Sequence, residues 1–127
     1  MAQLRDIVVD CHHPAALARF WTEVLEGYRI APYDDEEVAR LAAMGVTDVE
    51  DDPTVLLERV DGGRPCLWFQ RVPEPKTVKN RVHLDLAADD ADAELARLLS
   101  LGAQVQADRG ELVVLGDPEG NEFCLLR

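Results

Sequence analysis

The chain has 127 residues, enough for one domain with a sizeable core, and 47% of them are apolar, as in a globular protein. A formal net charge of −12 argues against a nucleic-acid partner, and apolar runs of only a few residues leave nothing to span a membrane. Met1 to Asp6 lack the layout of a signal peptide, and Cys11, Cys66 and Cys124, an odd count without CxxC spacing, read as reduced thiols, so a cytoplasmic protein is expected.

Residues 4–11 alternate, with Ile7, Val9 and Cys11 on one face and Asp6, Val8 and Asp10 on the other, which predicts a half-buried strand. His13-Pro14 then opens a helix, with His13 at the cap position and Leu17, Phe20, Trp21, Val24 and Leu25 as its apolar stripe. Gly27 ends it, and Tyr28 to Ile30 restart extended chain. Residues 32–53 read as an insertion over a cleft, with a short helix from Glu36 to Met44 stopped by Gly45. Thr54–Val60 and Arg64–Val72 read as a hairpin turning through Asp61-Gly62-Gly63.

Pro73-Glu74-Pro75-Lys76 breaks the chain, and the pattern begins again. Arg81 to Ala87 alternate, with Val82, Leu84 and Leu86 against His83 and Asp85. Asp89 or Asp90 caps a helix to Leu101 with Leu95, Leu98 and Leu99 as its stripe, and Gly102 follows. Residues 103–107, 111–115 and 121–126 finish as strands, the last two joined through Asp117-Pro118-Glu119-Gly120, which has the residues of a type I turn. Leu17-Ala18-Arg19-Phe20-Trp21 and Leu95-Ala96-Arg97-Leu98-Leu99 occupy matching places, so a β-α-β-β-β unit occurs twice. The fold class is α+β, in one domain with module one at about 4–72 and module two at about 81–127.

Charge is uneven along the chain. Residues 34–61 hold ten acids against Arg40 and Arg59, and residues 64–81 hold five basic side chains against Glu74. The acidic lobe reads as a solvated face or as attraction for a cationic ligand. The basic stretch 76–81 reads as a solvated linker, or as a hold on an anionic substrate or on the acidic patch of a second subunit. If apolar positions pack on the helices, the opposite sheet faces present Asp6, Trp68, Gln70, His83, Asp85, Glu122 and Cys124 to a cleft between the copies. Trp68 suits stacking on a planar ligand. His83 reads first as a hydrogen-bonded cleft residue, or as a base for proton abstraction beside a carbonyl paired with Asp85 or Asp6, and only then as a metal ligand. Cys124 reads as a small buried residue before a nucleophile.

The doubled β-α-β-β-β order, Phe20-Trp21, Trp68-Phe69-Gln70, His83-Leu84-Asp85-Leu86 and the tail Asp117 to Phe123 resemble the vicinal oxygen chelate superfamily, in its glyoxalase-like branch. That group includes glyoxalase I, extradiol dioxygenases, fosfomycin resistance enzymes and bleomycin-binding proteins. The resemblance implies a cupped mixed sheet with helices outside and a homodimer. It also implies one divalent ion (Mn, Fe, Ni or Zn) acting as Lewis acid and template. Carried over by residue, the ligands fall on His83, on Asp6 where the family has His, and on Cys124 where it has Glu. Trp68, Gln70, Asp85 and Glu122 are then substrate contacts, and His83 is the catalytic residue. Standard glyoxalase I activity is not expected, because its full ligand set is missing. Two functions stay open. One is a metal-dependent lyase, isomerase or dioxygenase acting on a small oxygenated metabolite. The other is a non-catalytic binder that sequesters a cationic or aromatic compound.

Overall fold

The alternating stretches become eight strands in two four-stranded sheets, one in each of two units, Met1–Glu74 and Pro75–Arg127. The computed structural model describes residues 1–127 throughout. In the first unit β1 (Asp6–Cys11), β2 (Tyr28–Ile30), β3 (Thr54–Arg59) and β4 (Cys66–Arg71) lie in the order β1-β4-β3-β2, with only β1 and β4 parallel. In the second, β5 (Asp85–Leu86), β6 (Gln104–Asp108), β7 (Leu112–Gly116) and β8 (Glu122–Leu126) lie in the order β5-β8-β7-β6 with the same directions. One helix joins the first two strands of each unit, α1 (Pro14–Val24) and, in the second, α3 (Ala91–Ser100). The chain therefore adopts the α+β, doubled β-α-β-β-β order. Only the first unit adds α2 (Asp35–Ala43) and a 3₁₀ turn (Val49–Asp51), both inside the expected insertion. No helix is long and apolar enough to cross a membrane.

Local sequence accounts for the helices. Pro14 opens α1, where its missing N–H costs nothing, and His13 precedes it without capping it through its side chain. Leu17, Ala18, Phe20, Trp21 and Val24 recur at helical spacing and are buried. They pack on the sheet face that carries Val55, Leu57, Leu67 and Phe69, all buried. Asp34 caps α2 by accepting from Glu37 N at 2.8 Å, and Asp90 caps α3 by accepting from Ala93 N at 3.0 Å. Gly27 (φ +77°) and Gly102 (φ +110°) follow α1 and α3 in the left-handed region that glycine enters without a Cβ clash. A fork from Arg19 to Glu50, 2.6 and 2.7 Å, ties the 3₁₀ turn to α1.

The second copy is thinner than its repeat suggests. Leu98 is fully buried, whereas Leu99, the counterpart of buried Trp21, is 42% exposed. α1 lies across β2, β3 and β4, whereas α3 packs chiefly on β8, so the expected stripe of three leucines narrows towards Leu98. The expected strand 81–87 shortens to Asp85–Leu86, and Val82 is 77% exposed rather than core. Upstream, Asn80 N donates to the side chain of Glu122 at 2.9 Å, and Leu84 O still accepts from Cys124 N at 2.9 Å.

The tail turn forms as its residues dictate. Gly120 N donates to Asp117 O at 2.8 Å. Asp117 is buried, and its carboxylate accepts from Glu119 N at 2.9 Å and from Asn121 N and Nδ2 at 3.0 Å, so the turn satisfies the charge that starts it.

Adjacent leucines test this packing. Leu98→Ala should cost about 2–5 kcal/mol of unfolding free energy and Leu99→Ala less than about 1, read from urea melts. Equal costs would contradict the placement of α3.

Candidate functional site

In the second unit the approach to β5 meets β8 and gathers three metal-type donors. Asp85 pairs with Cys124 across the parallel strands, and His83 stands two residues before Asp85. His83 Nδ1 lies 3.5 Å from Asp85 Oδ1, and the imidazole, carboxylate and thiol donor atoms all fall within 4.8 Å of one another. Cys124 is buried, whereas His83 and Asp85 are exposed. Burial pushes the Cys124 thiol up, the Asp85 carboxylate adds to that, and Lys79 opposes it. At neutral pH the sulfur therefore carries its proton and is a poor nucleophile.

The basic stretch beside this group is exposed but held at Lys76 and Asn80. Lys76 Nζ donates to Val78 O and to Glu122 Oε1, the latter at 3.1 Å, while Asn80 N takes Oε2. Burial alone would raise the Glu122 carboxyl, but the Asn80 amide and Lys76 outweigh it and hold the group below the usual range. With both oxygens engaged and its side chain only 10% exposed, Glu122, expected from sequence as a substrate contact, clamps residues 76–80.

In the first unit a pocket of about 400 Å³ opens on the face of β3 and β4 turned away from α1. Thr54, Leu56 and Trp68 supply its sheet wall, and Leu56 faces Trp68 directly across the two strands. The insertion supplies the rest, including Tyr33, Glu36 and Arg40. Tyr33 Oη donates to Asp52 Oδ2 at 2.8 Å, and Asp52, only 1% exposed, also accepts from Thr54 N at 3.0 Å. Burial first, and then the Asp52 carboxylate, push the Tyr33 phenol well above its ordinary value of 10. Glu37 grips Arg40 in a fork of 2.6 and 3.0 Å.

Residues 6–126 match the family model of the glyoxalase-like domain. The chain belongs to the glyoxalase-like family. It is thereby a member of the vicinal oxygen chelate superfamily, and solved structures agree. A glyoxalase/bleomycin resistance protein/dioxygenase family enzyme from Burkholderia phytofirmans PsJN superposes with a TM-score of 0.65 at 17% identity, over 98% of this chain and 97% of its own. The fosfomycin resistance protein FosX from Mesorhizobium loti gives 0.66 at 16% identity, over 99% and 91%. The oxidase ChaP-H2 gives 0.58 at 21% identity, over 99% and 93%. No curated protein matches the sequence. At these identities the likeness establishes the fold.

The glyoxalase-like chain fits the divalent ion that the resemblance implies, because imidazole, carboxylate and thiol form a donor set suited to zinc and its first-row neighbours. The carboxylate gathered with His83 and Cys124 is Asp85. Asp6, in the first unit, instead accepts from Arg64 Nη1 at 2.7 Å and lies 3.5 Å from Arg5 Nε. Trp68 lines the pocket, whereas Gln70, on the same face of β4, is exposed and outside that lining. His12 Nε2 meets the Glu74 carbonyl at 3.1 Å, which gives it a structural partner. Tyr33 escapes a reading of the sequence, and Glu36, Arg40, Asp52 and Lys79 enter it only as members of the acidic lobe and the basic stretch. The Asp52-Pro53-Thr54 spacing does signal a carboxylate taking the N–H two residues on, but nothing local announces that Tyr33 reaches it.

The phenol of Tyr33 is neutral below its raised value, so the stability it contributes is complete below about pH 10 and is lost as pH rises through the folded value. The phenolate absorbance that grows up to about pH 11 should be the same in Tyr33→Phe as in the natural chain. Asp52→Asn should bring the Tyr33 ionisation back down. A Tyr33 signal already complete at about pH 11 would contradict the Tyr33–Asp52 pair.

Proposed function

We propose that this glyoxalase-like protein is an enzyme acting on a small oxygenated metabolite, in lyase, isomerase or dioxygenase chemistry, with one divalent ion held by His83, Asp85 and Cys124. The observation that carries the reading is the convergence of three different donor types within 4.8 Å. When bound, such an ion supplies Lewis acidity and a template for adjacent substrate oxygens. The residues have separable tasks. Asp85 beside Nδ1 favours the imidazole tautomer that keeps its proton there and leaves the Nε2 lone pair for the ion. Buried Cys124 anchors the group to the middle of β8. The clamp of Lys76 and Asn80 on Glu122 holds residues 76–80 in position. Relatives of the same fold described as a fosfomycin resistance protein and as an oxidase support small-molecule chemistry without choosing the reaction.

Elemental analysis of protein purified without an affinity tag tests the reading. About one transition metal per chain is expected, lost in His83→Ala and reduced in Asp85→Asn. Asp6→Asn should leave uptake unchanged, since Asp6 is held by arginine. No metal in the natural chain, even after incubation with Mn, Ni, Zn and Fe(II), would overturn it.

A further inference from the structure

The pocket of the first unit has no part in that reading and uses none of its residues. We propose that it binds a small organic cation carried on a flat ring, the ring lying against Trp68 and the charge facing Glu36 and Asp52. The volume of about 400 Å³ lies in the range of small-molecule sites. The sheet wall is apolar and aromatic: Trp68 is partly exposed, and Leu56 sits directly across from it. An indole face attracts cations through its quadrupole and accepts a planar ring by stacking.

Charge selects among flat ligands. Four carboxylates line the pocket, Asp34, Glu36, Glu37 and Asp52, against the single guanidinium of Arg40. Arg40 is not free to receive an anion, because the Glu37 fork already holds it. Asp34 is engaged in capping α2, and Asp52 holds Tyr33 and the Thr54 amide. Glu36 takes part in none of the ion pairs of the structure, so its charge is left for whatever enters. The helix dipole accounts for acids in the first turn of α2. It does not account for a cavity beneath them walled by tryptophan. An anion would meet net negative charge there, and a neutral ring would gain only the stacking. The elements that wall it on that side, α2 and the 3₁₀ turn, occur only in the first copy.

Three flat probes of one size separate these cases: benzamidine, a cation; benzamide, neutral; and benzoate, an anion. Titration calorimetry on the full chain at low salt should rank benzamidine about tenfold above benzamide, with benzoate weakest. Added salt should weaken benzamidine and not benzamide. Glu36→Gln, on the helix surface, should lower benzamidine affinity several-fold and leave benzamide unchanged. Trp68→Ala should weaken both, and Trp68→Phe should restore most of the loss. His83→Ala should leave all three as they were, so failure here and failure of the metal reading are distinguishable. Equal binding of benzamide and benzamidine would overturn the proposal. So would folded Glu36 and Trp68 variants that bind like the natural chain, or no binding of any probe up to about 10 mM.

Discussion

Each sheet has one face covered by one helix, and the period-two alternation of its strands then settles where every other side chain goes. In the first unit Val55, Leu57, Leu67 and Phe69 must lie beneath α1, so Thr54, Leu56 and Trp68 are turned to the opposite face, where the pocket forms. In the second, Val113, Leu115, Phe123 and Leu125 share the buried face with Leu98. Cys124 falls between Phe123 and Leu125 and is turned away with its partner Asp85. A slip of one residue would bury Trp68 under α1 and send Phe69 outward. The candidate sites are therefore consequences of core register.

Buried carboxylates place the connections between these strands. Taking a charge out of water is costly unless hydrogen bonds replace the water, and such a group fixes the segments that supply them. Asp117 uses the amides of its own turn. Asp52 draws in Tyr33 from the start of the insertion. Glu122 draws in Lys76 and Asn80, and thereby sets the path by which the chain enters β5. In the case of Asp52 the same requirement supplies one wall of the pocket.

What was legible in the sequence is what local periodicity encodes. The burial of Leu67 and Phe69 against Trp68, the start of α1 at Pro14, the Asp90 cap of α3 and the tail turn all rest on residues within a few positions of one another. The engagement of Glu122 depends on a contact spanning 42 residues, between Asn80 and Glu122. The Tyr33–Asp52 bond spans 19 residues across the insertion, where no repeat guides the eye. The partner of Asp6 is equally hidden from a local reading. Asp6 matches a strand position, but Arg64, next to β4 in space and far away in sequence, meets it there.

The two copies also show how one architecture comes to hold two kinds of chemistry. Trp68 and Cys124 occupy the same place in their sheets, each flanked by two buried core residues on the strand that pairs in parallel with the first of its unit. Their parallel-strand partners are Val8 and Asp85. At that shared place the first copy sets an aromatic beside an aliphatic, and the second sets a thiol beside a carboxylate with an imidazole two residues away. Neither pair is required by the core, since both lie on the face opposite the helix, so packing leaves them open to differ. The insertion completes the difference: it walls in Trp68 of the first copy, while the metal-type donors of the second retain exposed His83 and Asp85. A fold that fixes one face so strictly leaves the other free to acquire a function in each copy separately.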